Sequence, residues 1–204
     1  ESTRPGAKPI CSRIEQRRVL PVVKALVAEG ISVSIDSYQP DTMEEACALG
    51  VDVINDVSGF TAYADSMKVA SAAGRVLVLA HSAPLNTEQG AAFEGEAAIE
   101  IYETLSGRIK VIEGLGVSRK NIVVDPGLGF KKNPESNYNV LKWLSIFHGL
   151  GCPIMVGASR KFGRLRKGET PKDRAGGSVA ASLYAVQQGI QLLRVHDVAE
   201  TRQA

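Results

Sequence analysis

The strongest constraint in this chain is a repeated alternation between short β-branched runs and longer segments with helical periodicity. ISVSID (31–36), VDVIND (51–56), RVLVLAH (75–81), NIVVD (121–125), CPIMVG (152–157) and IQLLRVHD (190–197) read as strands. The segments between them read as helices over 41–50, 62–74, 94–115, 134–150 and 171–189. A further helix over 12–30 precedes the first strand. It carries Ile14, Val19, Val22, Val23, Leu26 and Val27 on one face, Pro21 inside and Gly30 as a stop. Ser12 and Glu15 have the spacing of an N-terminal capping box. A last helix begins at Val198. Strands that alternate with helices form a parallel sheet with right-handed crossovers, which is either doubly wound or closed into a barrel.

The polar residues favour the barrel. Each apolar run ends in ionisable or amide side chains: Asp36, Asn55 and Asp56, His81, Asp125, then Ser159, Arg160 and Lys161, and finally Arg194, His196 and Asp197. One aspartate at a strand end is ordinarily a helix cap or a turn former. Six strands doing the same thing is different. In a (β/α)8 barrel the C-terminal strand ends converge on one mouth, and burying that many charges without a ligand is costly. The residue types also suggest what is bound. Asp36, Asp125 and the amide of Asn55 suit a flat ring bearing N–H donors. Lys161, Arg160, Arg194 and His196 suit phosphate oxygens. Neither nucleotide-binding glycine motif is present in the right context. A heterocycle with a phosphorylated tail fits this inventory.

Composition removes several other classes. Of 204 residues, 44% are hydrophobic, enough for a core, and the net charge is +2. That balance gives no reason to expect nucleic acid or a membrane as partner. The three cysteines, Cys11, Cys47 and Cys152, form no CxxC pair. They read as buried apolar fillers in a reducing cytoplasm. The apolar runs are too short to span a bilayer.

Taken together, Glu1-Ser2-Thr3-Arg4-Pro5-Gly6-Ala7, Ser34-Ile35-Asp36-Ser37, Ile54-Asn55-Asp56-Val57, Val124-Asp125-Pro126-Gly127-Leu128-Gly129-Phe130, Gly157-Ala158-Ser159-Arg160-Lys161 and Arg194-Val195-His196-Asp197 resemble the dihydropteroate synthase family. The resemblance implies a (β/α)8 barrel that joins para-aminobenzoate to 6-hydroxymethyl-7,8-dihydropterin pyrophosphate, with Mg2+ as cofactor, as a cytoplasmic homodimer and a sulfonamide target. It implies that Asp36, Asn55, Asp125 and Lys161 hold the pterin and that Arg194 and His196 hold the pyrophosphate. Thr3, Arg4, Pro5, Phe130 and Lys161 would line the aminobenzoate site. Lys161, Asp36 and Arg194 would be the catalytic residues, and no side chain is assigned as a metal ligand.

Departures from the family pattern are also visible. Lys131 stands where a glycine is usual, Ala80-His81-Ser82 replaces Met-His-Met, and the loop after Lys161 runs straight to Phe162-Gly163. A full barrel takes about 250 residues. The chain therefore reads as one incomplete barrel domain over 1–204, without strand 1, helix 1, most of strand 2 and most of helix 8. Two other readings compete with the synthase. One is a methyltetrahydrofolate-binding domain of corrinoid methyltransferases, which lacks the Lys161, Arg194 and His196 anion set. The other is a non-catalytic pterin-binding homologue. Away from the strand ends the bland readings hold: His148 a solvated helix end, Trp143 helix-face packing, His81 a core-edge histidine bonded to backbone, and Arg160 to Lys167 a solvated loop apart from Lys161.

Overall fold

The alternation read from the sequence is present throughout a computed structural model of the chain, which describes residues 8, 10–83, 85–86, 95–162 and 170–204. The chain divides into two compact units. The first comprises Glu1–Ala80 with Arg108–Val123, and the second His81–Gly107 with Val124–Ala204.

The first unit contains α1 (Ser12–Ala28), β1 (Ser34–Asp36), α2 (Pro40–Leu49), β2 (Val53–Asp56), α3 (Ser66–Ala72) and β3 (Val76–Ala80). It also holds the end of α4 (Glu96–Gly114) and the start of β4 (Ile122–Asp125). The strands lie in the order β1-β2-β3-β4. Ser34, Ile35 and Asp36 stand opposite Val53, Ile54 and Asn55 in parallel register. Parallel partners in register project to the same side of the sheet, so Asp36 and Asn55 share a face. Met43, Ile54, Leu77, Leu79, Ile109 and Ile112 are fully buried and form the core. Pro40 opens α2, where its missing N–H costs nothing. Gly50, at φ 104°, closes it.

The expected capping box at α1 does not form. Cys11 is the N-cap, without a side-chain bond, and the helix runs through Pro21 to Ala28. Ser12 instead donates to Asp41 at 3.0 Å. Glu15 turns inward, is 1% exposed, and accepts a 2.7 Å bond from the Ser37 hydroxyl. A long-range partner outcompetes the local cap because a buried carboxylate needs a donor more than an exposed helix end does. The cysteines, expected to be buried, match that expectation only in part. Cys152 is buried, Cys47 is half-buried and Cys11 is exposed at the helix start, and all three are free thiols.

The second unit contains the first part of α4, the end of β4, α5 (Pro134–Lys142), β5 (Met155–Val156), α6 (Ala175–Gln187), β6 (Leu192–Leu193) and α7 (Val198–Gln203). β5 pairs with β6 in parallel, and Val124 bridges to Ile154. Ile101, Leu105, Leu128, Leu144, Phe147 and Ile154 are its fully buried core. The helix expected over 134–150 breaks at Trp143 into α5 and a 3-10 turn, Leu144–Leu150. Gln188 supplies the reason. Its amide donates to Leu141 and Lys142 carbonyls at 3.1 and 3.3 Å, and its oxygen accepts from the Ser145 N–H at 3.1 Å. Carbonyls at a helix end that find an outside donor no longer need the next turn. Trp143 is 39% exposed at this break, with its indole against Gly95. The helix expected from 171 begins as a 3-10 turn, Pro171–Arg174, where Thr170 and Asp173 form a complete capping box.

Two glycines in the first unit differ in a testable way. Gly59 and Gly74 both have positive φ, but a Cβ at Gly59 would lie 2.5 Å from the Ala80 carbonyl oxygen, whereas at Gly74 it would meet open space. Gly74→Ala should cost about 1–2 kcal/mol, the backbone strain alone. Gly59→Ala should cost at least about 2 kcal/mol more, because backbone must move. Denaturant melts of the two variants check this, and equal losses would contradict it.

Candidate active site

Each unit presents some of the polar residues that follow the strands. In the first, Asn55 ends the apolar part of β2. It is 4% exposed, and its side-chain oxygen has no hydrogen-bond partner among the described residues. An unpaired buried acceptor costs roughly 1–3 kcal/mol, so this oxygen is available to accept from a bound molecule or a water. Asp36 is its in-register neighbour, half-buried at the end of β1.

Asp56 follows Asn55 and is fully buried. One of its oxygens accepts from the Ser58 N–H at 2.7 Å, and the other has no partner among the described residues. Burial pushes its carboxyl up to about 6; hydrogen bonds from Ser58 and Phe60 oppose this, and the charge of Asp36 adds to it. The turn after β2 holds Phe60 at φ 60°. Arg108 on α4 secures it by donating to the Gly59 and Phe60 carbonyls at 2.6 and 3.2 Å.

In the second unit Asp125 ends β4 and is buried. Its Oδ1 accepts from the Gly127 N–H at 2.8 Å. Burial raises its pKa; Lys161, the Gly127 bond, Lys132 and Arg194 pull the other way. Lys161 lies on the turn after β5. Its ammonium donates to the Leu128 carbonyl and sits 4.3 Å from the centre of the Phe130 ring. Gly129 is required here. A Cβ at that position, with φ +80°, would lie 2.7 Å from Lys161 Cδ. Lys161 Nζ and Arg194 Cβ also flank Gly157, at 3.7 and 3.9 Å from its ideal Cβ position.

Arg194 and His196 follow β6 and are exposed. The Arg194 N–H continues the ladder to the Val156 carbonyl at 3.0 Å. Ser159 Oγ lies 2.9 Å from His196 Nδ1 and accepts from the His196 backbone N–H at 3.2 Å, which fixes the ring beside the strand end. Arg160, expected in a solvated loop, instead forms a two-pronged ion pair with Asp197 at 2.8 and 3.3 Å. The remainder of that basic run, 163–169, lies outside the described residues, as do Thr3, Arg4 and Pro5.

The second unit thus brings Asp125, Phe130, Lys161 and Arg194 together, with His196 held beside them through Ser159. The first unit brings Asp36 and Asn55 onto one face. Sequence reading missed Glu15, Lys132 and Asn137 as organisers of these loops. Asn137 had a faint signal, a polar residue on the buried side of α5. Lys132 had none. His148 is exposed, with Nε2 2.9 Å from the Gln188 carbonyl, in keeping with a solvated helix end. Among the described residues no three His, Cys, Asp or Glu side chains are placed to hold a metal ion. No described helix is long and apolar enough to cross a membrane.

His81 follows β3 in the chain. It is 3% exposed, its Nδ1 has no partner among the described residues, and its backbone N–H donates to the Asp125 carbonyl at 2.9 Å. Burial, reinforced by Lys132 and opposed by Glu100, lowers its pKa from 6.5 to about 4. Between those values the unfolded chain takes up a proton that the folded chain refuses. Stability contributed by neutral His81 is complete above pH 6.5 and lost as pH falls toward 4. Asp56 has the opposite sign, because its folded pKa is raised: its contribution is present below 3.8 and lost as pH rises through about 6. His81→Gln should therefore flatten the fall in melting temperature between pH 6.5 and 4.5. Asp56→Asn should flatten the change between pH 4 and 7 in the other direction. Melting curves across pH that keep the original slopes would contradict both assignments.

Comparison with known proteins agrees with this geometry. The family model described as "Pterin binding enzyme" matches residues 1–196. Dihydropteroate synthase of Bacillus subtilis (strain 168) is 34% identical over 201 residues, which is 97% of this chain and 68% of that protein. The structure of Xanthomonas albilineans dihydropteroate synthase with 4-aminobenzoic acid superimposes with a TM-score of 0.89 at 37% identity. It is matched over 100% of this chain and 73% of that one. A Yersinia pestis dihydropteroate synthase in complex with a sulfonamide drug gives a TM-score of 0.90 at 33% identity, over 100% of this chain and 74% of that one. The alternation of helices and parallel strands is that of the (β/α)8 fold of these enzymes, of which this chain spans about three quarters. With the family model covering nearly the whole sequence, the chain belongs to the dihydropteroate synthase family of pterin-binding enzymes.

Proposed function

We propose that this protein condenses para-aminobenzoate with 6-hydroxymethyl-7,8-dihydropterin pyrophosphate to give 7,8-dihydropteroate and pyrophosphate. The observation that carries the reading is the buried side-chain oxygen of Asn55 near the end of β2, unpaired among the described residues. It is an acceptor prepared for an N–H of a planar heterocycle. Asp36, on the same face, adds a carboxylate for the ring, and Asp125 adds a second one.

In the reaction the bond between the pterin methylene and the pyrophosphate oxygen breaks, and the bond from the aniline nitrogen to that methylene forms. The aniline nitrogen gives up one proton, and the bonding pair leaves with pyrophosphate. Positive charge grows on the pterin as the fragments separate. Asp36 and Asp125 stabilise that charge, and Arg194 and His196 stabilise the departing anion. Ring N–H groups that donate to Asp125 favour its ionised form and offset the burial that raises its pKa in the free protein. Lys161 gives its ammonium to the polar edge of the pterin, and Phe130 packs against the aminobenzoate ring. The family resemblance assigns Thr3, Arg4 and Pro5, which lie outside the described residues, to the same substrate. Little proton transfer is needed, so positioning supplies much of the rest of the rate.

The described residues offer no carboxylate cluster for a resident metal. We therefore assign Mg2+ to the pyrophosphate as it arrives and leaves, since Mg2+ characteristically binds phosphate oxygens with few protein ligands. No step is routed through it. Two further assignments belong to the same reading. The enzyme is a homodimer, supported by Leu183, Tyr184 and Val186 exposed on α6, and it works in the cytoplasm, where its three thiols stay reduced.

Pyrophosphate release should require both substrates together with Mg2+. No release with all three present would overturn the reading in favour of a pterin-binding protein without turnover. Calorimetry should separate the two ends of the substrate. Asp125→Ala should weaken pterin pyrophosphate binding by about 2–4 kcal/mol. Arg194→Ala should weaken the same ligand while leaving free hydroxymethylpterin within about twofold. Unchanged binding in Asp125→Ala would contradict the role given to that carboxylate.

A further inference from the structure

The turn that follows β4 has an unusual backbone. Gly127 and Gly129 have φ of +71° and +80°, and Lys131, with a side chain, has φ +48°. Glycine enters this region without penalty, so Lys131 alone is strained, but all three conformations need fixing. Two side chains hold them. Lys132 Nζ donates to three backbone carbonyls: Gly127 at 2.9 Å, Phe130 at 3.2 Å and His81 at 3.3 Å. Asn137, on α5 and 9% exposed, accepts from the Gly129 N–H at 2.6 Å and donates to the Lys132 and Asn133 carbonyls at 3.1 and 2.8 Å. The packing leaves no slack at the first glycine, where an added Cβ would fall 1.8 Å from the His81 oxygen.

This turn carries the two groups that meet Lys161, the Leu128 carbonyl and the Phe130 ring. Moving the turn moves both.

We propose that Lys132 is a positioning residue for the aromatic-amine substrate: its ammonium, bound to three carbonyls, fixes Phe130 against Lys161 and so sets the aminobenzoate side of the site. The inference rests on the synthase reading above. Lys132 acts through the turn and touches neither substrate. An ammonium suits the task because its three N–H donors diverge from one point. A guanidinium spreads its donors in a plane and reproduces the arrangement only in part. Lys131 carries the same charge one residue away but is exposed, which makes it the control.

The test compares Lys132→Met, Lys132→Arg and Lys131→Met with the parent protein by crystallography and by steady-state kinetics. Lys132→Met should raise KM for aminobenzoate about tenfold or more, since misplacement by an ångström at a positioning group costs on this scale, and KM for pterin pyrophosphate less than about threefold, the smaller rise coming from loss of a cation near Asp125. Lys131→Met should leave both within about twofold. In the crystal the Phe130 ring of Lys132→Met should leave the Lys161 ammonium. Should Lys132→Met not fold, Lys132→Arg should show the same split at about threefold. An unmoved Phe130, unchanged aminobenzoate KM, or an equal rise in both KM values would overturn the proposal. If the parent protein releases no pyrophosphate, the synthase reading fails instead, and the position of Phe130 in the variant crystals still decides whether Lys132 sets it.

Discussion

A buried carboxyl group, Asp125, is the constraint around which the second unit is arranged. Leaving it charged and unpaired would be prohibitive. The chain answers with one backbone N–H from Gly127 and three nearby cations, Lys161, Lys132 and Arg194. Each comes with a structural consequence. The N–H requires the tight turn that only glycine enters easily. Lys161 requires a glycine opposite its stem. Lys132 ends on carbonyls that pin the turn. The burial still prevails over these partners, so the free carboxyl titrates above its ordinary range. A ligand bearing N–H donors would relieve that imbalance, which is the ground on which Asp125 is proposed as a binding group.

The first unit follows the same rule by a different route. Asn55 and Asp56 stand side by side at the end of β2, each with one oxygen unpartnered among the described residues. Their backbone is rigid, because β2 lies between β1 and β3. Arg108 holds the turn beyond them. Rigid elements that present unsatisfied acceptors lose little on binding a complementary edge, since the groups are already desolvated and ordered. Of the two, Asn55 shares the face of Asp36, while Asp56 as the next residue of the strand points to the other.

Much of this was legible from the residues. Short β-branched runs between helical periods gave the element order, and every strand placed in the sequence is present. The polar residues after the runs pointed to Asp36 and Asn55, which share a face in the first unit, and to Asp125, Lys161 and Arg194, which lie near one another in the second. What escaped was decided by contacts distant in sequence. Glu15 has the local spacing of a cap partner, yet Ser37, 22 residues away, claims it. The helix expected over 134–150 obeys its own periodicity until Gln188, more than 40 residues away, bonds its carbonyls. Strands shortened for a related reason: β5 and β6 keep two residues each, and bonds such as Arg194 N–H to Val156 extend their ladder. Lys131 is instructive in another way. Its sequence departs from the family's glycine, but the backbone keeps the glycine conformation because Lys132 and Asn137 impose it.

In the proposed function, the ionisation of Asp125 is held back by burial and released by the pterin. Its carboxyl carbon, labelled with 13C and followed by NMR through a pH titration, reports this directly. The midpoint should lie above the ordinary carboxylate range in the free protein and fall clearly when the pterin substrate is bound. A midpoint at the ordinary value, or one that the pterin leaves unmoved, would contradict it.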